Sequence, residues 1–518
     1  MDAWVFLSGP MGSGKSTLGR ALAQRLGARF VDLDERIEAS TGRTVAAHFA
    51  EGGEAAFRAR ERDLARSLLS EPPAVVALGG GTVTDAPTRR ALLEAGTLIT
   101  LEAPLEVLRA RIGDGAGRPL AGELEARLAA RAGAYAECHA RVATDGGQEA
   151  ALDAILAAMA RDAVVVPLGE RSYRVAFEHR DGLAGALAPL RPTGVVVVTD
   201  DNVDGPWGRA MAEAVGARAR VVLTPGEEHK TSAAVERIWD AALEAELDRG
   251  GVVVAIGGGV VGDLAGFAAA TLLRGVRFVQ VPTTTLAMVD SSVGGKTGFD
   301  RPQGKNLVGA FHQPAHVLVD VETLTTLPDV ELRAGLAEVV KSAWLDSEDA
   351  VAALERDAEA LLARDPPALR GAIKRSVALK ARIVASDERE DAERRWLNLG
   401  HTVGHAIEAA RGYRGVRHGE AVALGMVAAF RVAASLGDAR AVEHGARAAA
   451  LLARLGLPTD LDASAGPDVH RFVGADKKRR GDRVHFVVPG APGEVRVVPL
   501  PLTHEFGLGG RAPVESSM

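Results

Sequence analysis

The stretch Gly9-Pro10-Met11-Gly12-Ser13-Gly14-Lys15-Ser16 follows a strand candidate, Trp4–Ser8, and precedes a helix candidate with Leu18, Leu22 and Leu26 on one face. Glycines at this spacing let backbone N–H groups close around phosphate oxygens at a helix N-terminus. Lys15 reaches terminal phosphates from there, and Ser16 offers a hydroxyl to Mg2+. The chemistry this loop serves is phosphoryl transfer. A second glycine run, Gly257-Gly258-Gly259, follows the strand candidate Val252–Ile256 and suits close approach of a dinucleotide pyrophosphate, though its spacing is not G-x-G-x-x-G. His401 and His405 stand one helical turn apart, so spacing nominates both as metal ligands; an ordinary helix-surface or core pair is the alternative.

These groups need elements to hold them. The first ~160 residues alternate strand and helix, with strand candidates Trp4–Ser8, Arg29–Asp34, Ala74–Leu78 and Leu98–Glu102 and a closing helix near Glu149–Arg161. That is the rhythm of a doubly wound parallel sheet, and Asp32 and Asp34 fall at the edge where such sheets bind ligands. A hairpin, Ala163–Leu168 with Tyr173–Phe177, opens a second set. Val195–Asp200, Arg220–Thr224, Val252–Ile256, Val276–Val281 and Val317–Asp320 continue it as short β-branched runs, the pattern of buried parallel strands. Beyond Leu327 the pattern is helical, rich in Ala, Leu and Arg. The expected division is 1–161, 162–325, 326–505 and a disordered tail, 506–518.

At 518 residues the chain exceeds one ordinary core. Its net charge of -7 supplies no basic field for nucleic acid, so anionic ligands must be held by local Lys and Arg clusters. The single cysteine, Cys138, rules out a disulfide framework and any zinc site built from several cysteines, and fits a reducing cytoplasm. It is expected to be a small buried residue. The N-terminus does not read as a signal peptide, and no apolar run reaches the ~20 residues of a membrane helix.

Beyond the phosphate loop, Asp32-x-Asp34, Phe57-Arg58, Gly79-Gly80-Gly81, Arg118-Pro119-Leu120 and Arg131 before Tyr135 follow at intervals. Residues 1–160 thereby resemble the shikimate kinase family. The resemblance implies that Gly12, Ser13, Gly14, Lys15, Ser16, Thr17 and Arg118 bind ATP, with Arg118 on a lid. It implies that Asp34 holds the shikimate hydroxyls and acts as base. Arg58 and Arg131 take the carboxylate beside Gly80, and Asp32 and Ser16 belong to the Mg2+ surroundings. The chemistry agrees, because a small anionic polyol needs guanidiniums for its acid and a carboxylate for its hydroxyls. Gly113, Gly115 and Gly117 would give the lid its freedom.

The second set carries Pro282-Thr283-Thr284-Thr285, Asp290-Ser291-Ser292-Val293-Gly294-Gly295-Lys296, Gly304-Lys305-Asn306, Glu338-Val339-Val340-Lys341, Asn398-Leu399-Gly400-His401, His418-Gly419-Glu420 and Asp476-Lys477-Lys478. Over about 163–500 this is similar to 3-dehydroquinate synthase. The resemblance implies a Zn2+ (or Co2+) site of Glu338, His401 and His418. It places Asp200, Asn202, Glu227, Lys230, Gly258, Gly259, Asp263, Thr283 and Thr284 at NAD, with Asp290, Lys296 and Lys305 adjoining. Asp290, Lys305, Asn306, Lys380, Arg394, Asn398, His405 and Lys477 fall around the substrate, and Lys296, Lys341, His405, Arg274 and Asn306 take catalytic parts. In the implied reaction a ring hydroxyl is oxidised, phosphate leaves, the ketone is reduced again, and ring opening and aldol closure give a carbocycle.

The implied fold is a P-loop NTPase-type parallel sheet, then an α/β NAD-binding domain and an all-helical metal-binding domain. The expected substrates are shikimate and a heptulosonate phosphate, with ATP–Mg2+, NAD and zinc. No nucleic acid and no membrane are expected as partners, and a homodimer through the synthase domain is possible. The alternatives are another small-molecule kinase, a nucleotide-binding regulatory module, a sibling sugar-phosphate cyclase, or an NAD- and metal-dependent polyol dehydrogenase. The lysines Lys296, Lys305, Lys341 and Lys380 favour a phosphorylated acid over a neutral polyol.

Overall fold

The computed structural model describes residues 3–113, 124–389, 393–466, 468–473, 479–480 and 482–508. Arg118 with the expected lid, Lys477, and the tail beyond 508 lie outside them. The chain divides into two compact units, Met1–Ala176 and Phe177–Met518.

The first unit is built on β1 (Trp4–Ser8), β2 (Phe30–Asp32), β3 (Val75–Ala77), β4 (Gly96–Glu102) and β5 (Ala140–Ala143), in the order β2-β3-β1-β4-β5. All pairings are parallel. β1, with five buried residues, is the middle strand, so the loop after it opens at the centre of the sheet's carboxyl edge. β5 is a strand that the hydrophobic pattern did not signal: Ala140-Arg141-Val142-Ala143 has one β-branched residue and is held by register to β4. The second strand ends at Asp32, two residues before the expected end. Asp32 Oδ1 accepts from the Asp34 and Glu35 amides, capping the helix Leu33–Thr41 and placing Asp34 in its first turn.

The antiparallel hairpin of β6 (Ala163–Val166) and β7 (Tyr173–Phe177) forms as expected. Gly169 N donates to Glu137 Oε1 at 2.8 Å, and Arg174 Nε donates to the Cys138 carbonyl at 3.3 Å. These bonds explain why the compact division falls after the hairpin, at Ala176. Cys138 is buried.

The second unit holds β8 (Val195–Asp200), β9 (Ala219–Leu223), β10 (Val252–Gly257), β11 (Arg277–Pro282), the hairpin β12 (Lys296–Arg301) and β13 (Gly304–Phe311), and β14 (His316–Val319). Its parallel strands run in the order β14-β11-β10-β8-β9. The helices Asp329–Asp346, His401–Ala410 and His418–Ser435 pack tightly. A Cβ at Gly419 would sit 1.8 Å from the Ala334 carbonyl oxygen, and one at Gly425 would sit 1.8 Å from that of Gly400. Only glycine permits these approaches, which bring the ends of three helices together.

The C-terminal part is mainly helical, but β15 (Arg479–Arg480), β16 (Arg483–Pro489) and β17 (Val495–Pro501) add an antiparallel sheet that the all-helical expectation lacked. Alternation in Val484-His485-Phe486 was its signal. The tail does not begin at 506 either. Phe506 is fully buried, its ring tilted against those of Phe486 and His470 and edge-on to His504. Among the described residues no helix is long and apolar enough to cross a membrane.

Candidate functional sites

In the first unit a cavity of about 740 Å3 is lined by Lys15, Ser16, Asp32, Asp34, Arg58, Gly80, Arg127, Arg131 and Tyr135. Lys15 opens the helix Lys15–Leu26 behind Gly14, whose φ of 91° turns the loop. Its ammonium donates to the Gly9 and Pro10 carbonyls, each at 2.9 Å, so the loop holds the amine where phosphates would enter. Burial, then Glu61 and Asp32, push the Asp34 carboxyl up to about 6. A carboxylate so poised can accept a hydroxyl proton near neutral pH.

The acid-recognition side rests on residues beyond the expected set. Glu61 is fully buried, accepts from Arg58 Nη1 at 2.6 Å and from Thr82 Oγ1 at 2.6 Å, and so fixes the guanidinium. Its spacing of three from Arg58 on one helix was a usable signal. A Cβ at Gly81 would lie 2.2 Å from Arg58 Cζ, so the glycine run makes room for that side chain. Arg131 Nη1 and the Tyr135 hydroxyl both donate to the Gly80 carbonyl, at 2.8 and 2.6 Å.

In the second unit the glycine run ends β10 and opens the helix Gly259–Thr271, with Gly258 at its N-cap. Asp200 ends β8, where its carboxylate accepts from the Asn202 and Val203 amides. Thr283 follows β11, and its Oγ1 is buried without a hydrogen-bond partner among the described residues. These residues share the carboxyl edge of the parallel strands, the position of a dinucleotide site. Lys230, buried, donates at 2.6 Å to Asp263 Oδ2 and at 2.6 Å to Asn306 Oδ1, and lies 3.9 Å from Glu227. Burial pushes Asp263 up to about 6 against the pull of Lys230.

Glu338, His401 and His418 place one ligand atom each within 4.8 Å of one another. Glu338 Oε2 pairs with Lys341. Its Oε1 is buried with no hydrogen bond, 3.6 Å from His401 Nε2 and 3.8 Å from His418 Nε2. The outer nitrogens are held: His401 Nδ1 lies 3.2 Å from the Leu399 carbonyl and His418 Nδ1 lies 3.3 Å from Glu408 Oε2. Burial lowers the His418 pKa, but Glu408 and Glu338 outweigh it and raise it. An orphaned buried carboxylate oxygen facing two imidazole nitrogens fits a divalent cation of the zinc class. A competing group, His405, Glu408 and His418, also brings one ligand atom each within 4.8 Å of one another. In that group Glu408 Oε2 already pairs with His418 Nδ1 at 3.3 Å, so its carboxylate is not orphaned as Glu338 Oε1 is. A surface group, His179, Asp320 and Glu322, has Arg180 bonded to both acids, so a guanidinium fills it.

Lys380 is buried and donates to Asp290, and with Lys341 it holds that carboxyl well below the usual range despite burial. Lys305 reaches Glu408 at 3.4 Å and stands over the Tyr413 ring. Buried Arg394 donates to the Gly294 carbonyl at 3.1 Å, two residues before the exposed Lys296. Half-buried Asn398 precedes His401 by three residues. Arg274 does not join this cluster. It is exposed, with φ 68°, and precedes β11, whereas Thr283 follows that strand about 20 Å along. Glu408 is a site residue that sequence reasoning missed, although it lies three residues from His405 on the same helix.

Residues 11–160 match the family model described as shikimate kinase. Residues 220–334 and 335–479 match those described as the N-terminal and C-terminal parts of 3-dehydroquinate synthase. Over 309 residues the chain is 50% identical to the 3-dehydroquinate synthase of Symbiobacterium thermophilum, covering 59% of this chain and 86% of that one. A 2-deoxy-scyllo-inosose synthase solved with carbaglucose-6-phosphate, NAD+ and Co2+ superposes with a TM-score of 0.60 at 28% identity, over 66% of this chain and 97% of that one. The 2-epi-5-epi-valiolone synthase of Streptomyces hygroscopicus subsp. jinggangensis 5008, solved with NAD+ and Zn2+, gives 0.57 at 29%, over 64% and 93%.

Proposed function

This chain belongs to the 3-dehydroquinate synthase family and carries a shikimate kinase as its N-terminal part, and from that premise we propose how its own residues run the two reactions of a bifunctional shikimate-pathway enzyme. In the kinase, ATP with Mg2+ supplies the phosphoryl group beside Ser16 and Asp32. The loop amides and Lys15 hold the phosphates and offset charge as the group transfers. Arg58 and Arg131 hold the shikimate carboxylate. Asp34 takes the proton from the 3-hydroxyl as its oxygen bonds to phosphorus and ADP leaves. Arg118, outside the described residues, is the proposed lid contact.

In the synthase, NAD at Asp200, Asn202, Glu227, Gly258, Gly259, Thr283 and Thr284 and a zinc or cobalt ion at Glu338, His401 and His418 would supply reversible hydride acceptance and polarisation of a hydroxyl. The chain's own groups do the rest. Lys230 and Asp263 brace the cofactor edge, and Lys380, Lys305, Arg394, Asn398 and Asn306 orient 3-deoxy-arabino-heptulosonate 7-phosphate by its two anionic ends. Lys341 holds Glu338, and His405, its ring centroid 5.2 Å from that of His401, is the proposed group that exchanges a proton with substrate. Net products are 3-dehydroquinate and phosphate. The observation that carries this reading is the buried, unbonded Glu338 Oε1 facing two imidazoles beside buried lysines.

Substrate choice tests it. Identity of 50% to a 3-dehydroquinate synthase, against 28 and 29% to the two sibling cyclases, favours the heptulosonate phosphate. Phosphate release from another sugar phosphate but not from this one would contradict the reading. The proposed working division is 1–161, 162–325 and 326–505, supported by a kinase match that ends at 160. The chain would work in the cytoplasm, where one buried thiol stays reduced. A homodimer through the synthase part is supported by exposed Leu307 and Phe311 on β13, and light scattering checks it.

A further inference from the structure

Three guanidiniums of the kinase converge on one carboxylate. Arg127 grips Glu54 with both nitrogens, Nη1 to Oε1 at 3.0 Å and Nη2 to Oε2 at 3.2 Å. Arg58 Nη2 lies 3.2 Å and Arg131 Nη2 3.6 Å from the same Oε1. Arg58 and Arg131 are the pair assigned above to the substrate acid, and all three arginines line the cavity that holds Lys15 and Asp34. Glu54 therefore sits among groups suited to a carboxylate that arrives from outside.

Two acids meet these arginines, and they differ. Glu61 is fully buried and bonded to Thr82 as well as Arg58, so it is a fixed counter-ion. Glu54 stands at the rim with its side chain 39% exposed. It directly follows Gly53, whose φ of 71° and ψ of 176° break the helical run Val45–Ser67. A side chain beside such a break can withdraw without dismantling the helix behind it. The hydrogen bond from Arg127, above all, holds the Glu54 carboxyl below its ordinary range, so it is an anion when it occupies the site.

We propose that Arg127 is a third guanidinium of the kinase's substrate-carboxylate site, and that Glu54 occupies that site as an internal counter-ion which the incoming acid displaces. The proposal rests on the kinase reading above. It makes recognition of the acid an exchange of one carboxylate for another on the same three donors. Neutral polyols, which cannot displace Glu54, are refused.

The test uses the full chain. Glu54→Gln keeps the size and removes the charge, and should lower KM for shikimate about threefold or more while KM for ATP stays. Arg127→Gln should raise KM for shikimate. Shikimate methyl ester, which lacks the anionic group, should gain nothing from Glu54→Gln. An unchanged KM for ATP in each variant reports that the kinase unit is folded. A KM for shikimate that rises or does not move in Glu54→Gln would overturn the exchange, and one that does not move in Arg127→Gln would remove Arg127 from the site. Failure of the unaltered chain to phosphorylate shikimate would sink the kinase reading itself, a separate result.

Discussion

Glu338 Oε1 lies 3.6 Å from His401 Nε2, buried and without a hydrogen-bond partner among the described residues. The same oxygen lies 3.8 Å from His418 Nε2. Leaving such an atom unpaired costs about 1–3 kcal/mol or more, a cost that a bound cation would remove. The geometry thus supports the proposed set with His418 and without His405, a distinction that helical spacing alone does not make.

For the metal, His418→Ala should lose bound zinc, whereas His405→Ala should keep zinc and lose turnover. His418 turns Nε2 to Glu338 because Glu408 holds its Nδ1. Metal content of both purified variants decides. Zinc lost from both variants would transfer the site to the His405, Glu408 and His418 group, and zinc kept in His418→Ala would overturn the assignment.

The kinase should lose activity as pH falls through about 6. Asp34 is pushed up to about 6 by burial, then by Glu61 and Asp32. The proposed base works only when ionised, so log kcat/KM for shikimate should be flat above that value and fall with unit slope below it. A profile flat down to pH 4.5 would remove Asp34 from that role.

Gly81→Ala should raise KM for shikimate about tenfold and leave the synthase unchanged. The φ of -113° at Gly81 suits any residue, so the cost is steric: the added Cβ falls 2.2 Å from Arg58 Cζ. An unchanged KM would mean that Arg58 is not needed in its present place.

Lys15→Ala should abolish phosphoryl transfer while phosphate release by the synthase continues. Lys15 lies in the compact unit Met1–Ala176, and the proposed metal ligands lie in Phe177–Met518. The loss follows from removing charge that stabilises the transferring group. Parallel loss of both activities would count against two independent sites.

Much of the site was legible because its chemistry is local. The phosphate loop, the Gly257–Gly259 turn and the valine-rich strands carry their signals within a few residues. What stayed hidden depends on distant parts of the chain. β5 is a strand because it registers with β4, not because of its own composition. Arg127 meets Glu54 across 73 residues, and Lys305 meets Glu408 across 103. Phe506 looked like tail because its aromatic partners at Phe486 and His470 come together only in the fold. Arg274 shows the limit of motif position: it precedes β11, whereas Thr283 follows that strand.

The most direct measurement is made on one purified sample of the full chain with two assays. One follows phosphate released from 3-deoxy-arabino-heptulosonate 7-phosphate in the presence of NAD and zinc. The other follows ATP-dependent phosphorylation of shikimate. The account predicts turnover in both, with no net accumulation of NADH in the first. Sustained NADH formation without phosphate release, or ATP binding without shikimate phosphorylation, would contradict it.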